Sequence, residues 1–372
     1  MTKKPRYIGL VAPLPPPSGG MANQARQLRR LLEAEGIRVD MVQVNAPYRP
    51  AWVGRLRGVR AVFRFIPFVL RLWVCAGRVQ LFHVMANSGL SWHLFAAPAI
   101  RIARLRDIPV IVNYRGGEAD AFFRTSFHRV RGNMHRASAR VVPSGFLQAV
   151  FEKYGLSSVI VPNIIDLERF PERTPEEIDT TPHILVSRNL EPIYDIATAI
   201  RAFAQVRETL PEACLTVAGS GPDRKMLQAL VQSLGVDSAV TFTGRVDNEH
   251  MADLYRHAHV MVNPSLVDNM PISILEALAS GVPVVSTNVG GVPYLVEHGE
   301  TALLVEARDH TAMAEAILSI LQDEALAIKL KTAGRENVKK YAWPAVRERW
   351  MTVYSDVLSQ PARPAISEQR NA

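Results

Sequence analysis

Residues 268–291, DNMPISILEALASGVPVVSTNVGG, carry the reading that decides the fold. An acid, Asp268, stands eight positions before another, Glu276. Pro271 suits a first helical turn, where its missing N–H costs nothing. The spacing then predicts a helix, a helix-to-strand turn at Ser280-Gly281, an apolar strand over Val282–Val285 and a glycine pair, Gly290-Gly291. Asn269, Met270, Pro271 and Ile272 stand at the helix start, where free backbone N–H groups and the helix dipole favour an anion or a hydroxyl. Asp268 lies on the loop just ahead, and Glu276 about one and a half turns inside the helix. Two acids at those depths can hold two ends of a polyhydroxylated ligand, which is the chemistry of a sugar nucleotide.

Working outward, short apolar runs alternate with segments of helical period. The strand candidates are Tyr7–Ala12, Val39–Val44, Leu81–Met85, Val110–Tyr114, Arg140–Pro143 and Val159–Val161, then His183–Ser187, Leu215–Ala218, Val240–Thr243, Val260–Asn263, Val282–Ser286 and Ala302–Val305. Helical patterns such as Met21–Glu35, Ile196–Arg207, Arg224–Ser233 and Thr311–Gln322 lie between them. Such alternation predicts an α/β protein with parallel sheets covered by helices. Twelve strands are too many for one sheet, so the expectation is two doubly wound, Rossmann-like domains facing each other across a cleft. The polar stretch 171–182 (PERTPEEIDTTP) reads as the linker, and the tail 361–372 reads as disordered.

Length and composition bound the class. The 372 residues suffice for two domains, and 48% hydrophobic with 21% charged residues is ordinary for a globular protein. No apolar run reaches the roughly 18 residues of a membrane span, and the N-terminus goes straight into a strand-like segment. Only Cys75 and Cys214 are present, so no disulfide framework is implied and a cytoplasmic location is expected. The net charge of +8 hides a division: residues 1–170 hold 25 Lys+Arg against 9 Asp+Glu (+16), residues 171–372 hold 18 against 26 (−8). The first half is expected to attract something anionic.

Ligands of parallel sheets sit at the carboxyl ends of strands, and the remaining motifs follow strands. In PLPPPSGGMANQ (13–24), Gly19 and Gly20 would let backbone amides approach a diphosphate; a plain strand–helix turn would look the same. Arg188, in SRNLEPIYD (187–195), stands where it could neutralise a leaving diphosphate. AGSGP places Gly219 in a tight turn but lacks the third glycine of a dinucleotide fingerprint. In FTGRVD, Gly244, Arg245 and Val246 offer backbone for a planar base, or simply a strand–helix join with Asp247 as N-cap. His250, His257 and His259 lack the i, i+4 spacing of a helical zinc site, and no compact acidic pair suits magnesium; no metal or cofactor is expected.

Residues 53–78 (VGRLRGVRAVFRFIPFVLRLWVCAGR) carry six arginines and no acid. At helical spacing Arg57, Arg60, Arg64, Arg71 and Arg78 share one face, with Val62, Phe63, Ile66, Val69, Leu70 and Trp73 largely elsewhere, and Pro67 should kink or divide the helix. A basic stripe beside an apolar one reads as a helix lying on an anionic membrane; an ordinary domain helix with a solvated basic face is the alternative.

In this order and spacing the motifs resemble the GT-B-fold retaining glycosyltransferases of family 4. The resemblance spans most of the chain: Gly19-Gly20, VPNIIDLERF (161–170), the Arg188 strand end, AGSGP, FTGRV, NPSL (263–266), EALASGVPVVSTNVGG and the closing YAWPAVRERWMTVY (341–354). It implies an N-terminal acceptor-side domain over 1–165, completed by a crossover helix near 345–360, and a nucleotide-sugar-binding domain over 166–344. It implies that Glu276 binds ribose hydroxyls, that Asp268 and the amides of 269–272 hold the donor sugar, and that Arg188 with the Gly19-Gly20 amides stabilises the departing diphosphate. The chain departs from the pattern in several places. The family's acid pair is D-x7-E here, Ile193 or Tyr194 stands in place of its donor-phosphate lysine, its crossover glycine is Ile164, and its acceptor-side histidine is replaced by Asn113-Tyr114-Arg115-Gly116-Gly117. His83, Arg115 and Glu118 are the acceptor-side candidates. The expected activity is metal-independent, retaining transfer of a hexose from a nucleoside-diphosphate sugar to a glycan or lipid-linked acceptor, at the inner face of the plasma membrane, in surface or exopolysaccharide synthesis. A non-catalytic sugar-nucleotide- or glycan-binding subunit and a GT-B-fold epimerase are the alternatives. Nucleic-acid binding is not expected, because the aromatics of the basic half sit within apolar runs.

Overall fold

The computed structural model of the protein describes residues 4–16, 19–48, 52–53, 56, 60–172 and 180–360. Arg57, most of the expected linker and the tail 361–372 lie outside them. The chain packs as two compact units: one runs up to Ile164 and resumes at Val346, the other is Ile165–Ala345.

The first unit contains β1 (Tyr7–Ala12), α1 (Gly20–Ala34), β2 (Arg38–Gln43), α2 (Arg60–Ala76), β3 (Leu81–Ala86), a π-helical turn (Trp92–Ala96) running into α3 (Ala97–Leu105), β4 (Val110–Tyr114), α4 (Ala119–Arg136), β5 (Ala139–Val142), α5 (Gly145–Lys153) and β6 (Val159–Ile160). Its sheet has the order β2-β1-β3-β4-β5-β6, and every neighbouring pair is parallel. Both faces are covered, which is why β3 and β4 are buried along their whole length and read as unbroken apolar runs. Phe82, Val84, Ile100, Val112, Phe123 and Phe151 lie in its core.

The second unit contains β7 (His183–Ser187), α6 (Ile196–Thr209), β8 (Cys214–Ala218), α7 (Arg224–Ser233), β9 (Val240–Gly244), α8 (Asn248–His257), β10 (Val260–Asn263), α9 (Ile272–Ala279), β11 (Val284–Thr287), β12 (Leu303–Val305), α10 (His310–Gln322) and α11 (Glu324–Val338). Its parallel sheet runs β12-β11-β10-β7-β8-β9. Helix α12 (Trp343–Ser359) follows, and from Val346 onward it belongs to the first unit.

Strand order fixes where each sheet can bind. In the first, the chain moves from β1 out to β2 and returns to β3 on the other side of β1. In the second it moves from β7 through β8 to β9 and returns to β10 beside β7. The gaps between β1 and β3, and between β7 and β10, are therefore the topological switch points. There the connections leave in opposite directions and open a crevice at the carboxyl ends of the strands.

Local differences from the sequence reading have physical causes. Pro271 is the N-cap of α9, with ψ at 120°, rather than a residue of its first turn. Pairing of β11 begins at Val284, not Val282, after Gly281 at φ 69° and Pro283, which has no N–H to give. Pro67 does not divide α2, which runs as one helix through it. The carbonyl that loses its donor is that of Phe63, on an exposed turn.

Candidate functional site

Parallel pairing aligns the carboxyl ends of the second sheet along one edge, so the loops after β9, β8, β7, β10 and β11 stand side by side in that order. Arg188 directly follows β7, and Asp268 is on the loop after β10; these are the two strands that flank the switch point. Their side chains meet there, Arg188 Nη2 donating to Asp268 Oδ2 at 2.5 Å, with the two side chains only 12% and 11% exposed. The Arg188 guanidinium lies over the Tyr194 ring, 4.1 Å from its centre. Arg188 Nε is buried with no acceptor among the described residues. A buried donor without a partner is costly, so this face of the guanidinium suits an anionic ligand.

A polar network holds Asp268. Ser265 Oγ reaches Asp268 Oδ2 at 3.2 Å and Asn263 Oδ1 at 2.9 Å, Asn263 Nδ2 donates to Ser286 Oγ at 3.0 Å, and Thr287 Oγ1 donates to the Ser265 carbonyl at 2.6 Å. The Asn269 amide donates to Asp268 Oδ1 at 3.0 Å. Burial raises the Asp268 carboxyl above its ordinary range, with Arg188 and the hydrogen bonds opposing it.

Glu276 sits on α9 and is reached from β7 by another route. Tyr255 OH, buried on α8, donates at 3.1 Å to Glu276 Oε2 and lies 2.6 Å from Ser187 Oγ. Burial pushes the Glu276 carboxyl up to about 7, opposed by the Tyr255 hydrogen bond and by Arg169 and Arg188. Near neutral pH it therefore divides between carboxylate and acid, and only the carboxylate accepts with full charge.

The glycines around this edge serve close approach. A Cβ on Gly290 would stand 2.1 Å from the Asp268 carbonyl, and one on Gly291 1.6 Å from that of Asn269. A Cβ on Gly219 would stand 1.9 Å from the Arg188 carbonyl. Thus the loops after β11 and β8 brace the two charged loops between them. Gly244 takes φ 75°, which favours glycine, and is followed by exposed Arg245 and half-buried Val246, two strands from Arg188. Asp247 acts as cap there, accepting from the His250 amide at 3.0 Å. Met270 is buried and Ile272 opens α9, whose first-turn amides have no intrahelical acceptor.

Sequence reasoning brought Arg188, Asp268, Glu276, Tyr194, Gly219 and residues 269–272 to one edge. It missed Ser187, Tyr255, Ser265 and Thr287, which position them; the polar ends of β7, β10 and β11 were the available signal.

In the first unit, Gly19 is the N-cap of α1 in extended backbone, and a Cβ there would meet nothing. Its own packing does not require glycine, and Gly20, beside it, opens the helix. Between the ends of β1 and β3 lies a cavity of about 200 Å³ lined by Pro13, Met21, Arg64, Met85, Ser91 and Phe95, among others. His83 is not presented to any ligand, contrary to the sequence reading. It is fully buried, its Nδ1 2.9 Å from Tyr354 OH, its Nε2 3.0 Å from Asn113 Nδ2 and its ring 4.6 Å from Trp350. Burial and Arg115 lower its pKa to about 3, so it is a neutral clasp for α12. Arg115 follows β4 with its Nε buried and without an acceptor among the described residues, and Glu118 is the exposed N-cap of α4. Gln24 holds Ile164 by two hydrogen bonds, from its Nε2 to the carbonyl at 2.7 Å and from the Ile164 amide to its Oε1 at 2.8 Å. Among the described residues no three His, Cys, Asp or Glu side chains group to hold a metal ion, and no helix is long and apolar enough to cross a membrane.

Two family profiles match adjoining parts of the chain: "Glycosyltransferase Family 4" over residues 18–169 and "Glycosyl transferases group 1" over 168–337. A phosphatidyl-myo-inositol mannosyltransferase of Mycobacterium leprae is 24% identical over 96% of this chain and 98% of its own length. An N-acetyl-alpha-D-glucosaminyl L-malate synthase of Bacillus anthracis is 32% identical over 47% of this chain. The match spans 45% of that relative, so the chain covers about half the length of this and several other curated relatives. Among solved structures, a sucrose-phosphate synthase from Thermosynechococcus elongatus has the same fold, with a TM-score of 0.77 and 23% identity over 95% of this chain and 99% of that one. The chain belongs to the GT-B-fold glycosyltransferases of the family 4 type.

Proposed function

We propose that this glycosyltransferase moves a hexose from a nucleoside-diphosphate sugar to a hydroxyl of a glycan or lipid-linked acceptor, with retention and without a metal ion, in the building of a surface or extracellular polysaccharide. The observation that carries the reading is the buried Arg188–Asp268 pair joining the ends of β7 and β10 at the switch point. In a ligand-binding crevice such a pair supplies both groups the donor needs: a cation for the diphosphate and an acid for the sugar hydroxyls.

In this scheme the ribose hydroxyls donate to Glu276, and the sugar lies against Asp268 and the first-turn amides of α9. Arg188, through its unpartnered Nε, takes the diphosphate. The bond from the anomeric carbon to the phosphate oxygen breaks, the acceptor oxygen bonds to the anomeric carbon on the same face, and the acceptor proton passes to the departing phosphate oxygen. Charge developing on that oxygen is met by Arg188, a fixed donor in a dry setting, which is worth roughly 3 kcal/mol by analogy with oxyanion-hole deletions. Taken by itself, the first unit offers the Gly19-Gly20 backbone at the start of α1 and, at its own switch point, the cavity beside Arg64, which suits part of an acceptor. The relative named for phosphatidyl-myo-inositol supports an acceptor of lipid-linked type.

The test is nucleoside-diphosphate release from UDP-, GDP- and ADP-sugars with EDTA present, against alkyl glycosides and phosphatidylinositol as acceptors. The expected result is acceptor-dependent release from one donor, with a product whose anomeric proton coupling matches the donor's. Release that needs added metal, or an inverted product, contradicts the proposal.

A further inference from the structure

Helix α2 turns an apolar face to water. Val62, Phe63, Ile66, Leu70, Trp73 and Val74 are each between 44% and 62% exposed. At 100° per residue they fall within an arc of roughly 120°. Phe68, Leu72, Cys75 and Ala76, at most 4% exposed, occupy the arc that packs on the unit's core. A helix of a globular protein normally has one apolar stripe, spent on the core; this one has two.

The arginines are arranged differently from the free basic stripe expected of them. Arg64 turns onto the Tyr48 ring, 4.2 Å from its centre, with its Nε buried, and Arg71 is tied to Asp40 at 2.7 Å. Both fasten the helix to its own unit, and the apolar arc is left outermost. Cations flank it nonetheless. Arg106, just past α3, lies over the Trp73 ring at 4.9 Å, Arg78 is exposed, and ten arginines but no acidic residue lie between Asp40 and Asp107.

We propose that this face docks on an anionic lipid bilayer, with α2 lying in the plane of the interface. Its six apolar side chains would enter the headgroup–acyl boundary, Trp73 at its edge, with Arg78 and Arg106 on lipid phosphates. Charge decides the occupant. A second copy of the chain would bring the exposed Arg78 and Arg106 of one face towards those of the other, which is repulsive, whereas anionic headgroups complement them. The inference goes beyond the transfer reaction and does not depend on the donor site.

The experiment is co-sedimentation of the full chain with vesicles of phosphatidylcholine alone or with phosphatidylglycerol, at low and high salt, with light scattering of the free protein. Binding to the phosphatidylglycerol vesicles that falls with salt, and falls at least tenfold in the double variant Ile66→Asp/Leu70→Asp, is expected. Arg106→Gln should weaken it severalfold. These positions are exposed, so an unchanged melting temperature and unchanged nucleotide binding would report that the variants fold. No binding at low salt, or binding that the double variant keeps, overturns the proposal. So does a dimer in solution that the same double variant dissolves, since the face would then belong to a second copy. Loss of donor binding with vesicle binding intact would count against the proposed function and leave this inference standing.

Discussion

The two sheets are built alike and differ where it matters. Both are six-stranded, parallel and doubly wound, and each opens a switch point at its carboxyl edge. Between β7 and β10 that opening holds a buried ion pair, a hydroxyl network and glycines with no room for a Cβ. Between β1 and β3 it holds a mainly apolar cavity of about 200 Å³ with one arginine on its wall. Burying Arg188 and Asp268 costs desolvation that their attraction must offset, so such a pair is weak evidence for stability. The role proposed for charge kept in such a place is to bind a charged, hydroxyl-rich donor. The other opening is equipped for shape and burial, which suits a varied acceptor.

Breaking the charged switch point should have the largest effect. Arg188→Ala is expected to lower kcat/KM by ~100-fold or more, and it strands the buried Asp268 carboxylate, so the melting temperature should fall too. Adding Asp268→Asn should restore stability, because no unpaired charge remains, yet leave activity lost. Melting curves and turnover on the wild type and the two variants check both halves.

The glycines sharpen the contrast. Gly291→Ala drives a methyl into the Asn269 carbonyl, so stability and activity should drop together, activity by about tenfold or more given how sensitive reaction geometry is to misplacement. In the first unit, Gly19→Ala meets open space at φ −168° and should leave the melting temperature unchanged. Lost activity in that variant would place a ligand against its backbone.

A smaller effect should appear with pH. The folded Glu276 carboxyl keeps its proton to about 7, whereas its ordinary value is 4.5. Its contribution to stability therefore falls as pH rises from 4.5 towards 7. Nucleotide affinity should move the opposite way, strengthening severalfold through pH 7 as the carboxylate forms, and Glu276→Gln should flatten both slopes. Calorimetric titrations across pH 6 to 8 measure this. The most local effect should come from Ser91→Leu, which fills part of the apolar cavity. Acceptor KM should rise about tenfold, as for one misfitting group in a pocket, with donor KM unchanged.

Much of this was legible in the chain itself. β1, β4, β7 and β10 fall where the apolar runs predict, because strands buried on both faces write themselves as short continuous runs. Arg188 and Asp268 were legible as candidates because they stand on loops after strands, and Glu276 because of its spacing from Asp268. Their pairing was not. Arg188 and Asp268 are 80 residues apart, and the Tyr255 that orients Glu276 is an ordinary half-polar side chain on a preceding helix. His83 misled for the same reason. It lies within an apolar strand, and its partners Tyr354 and Asn113 come from distant parts of the chain. The arginines of α2 misled because helical spacing gives direction but not tether, and Asp40 and Tyr48 supply the tethers.

The central claim is that the diphosphate of the donor lies on Arg188 at the second sheet's switch point. It is tested most directly by titrating UDP, GDP and ADP, without metal, into the wild-type protein and into Arg188→Ala. One nucleoside diphosphate should bind the wild type, and the variant should bind it at least tenfold more weakly. Equal binding to both proteins, or none to either, would contradict the claim.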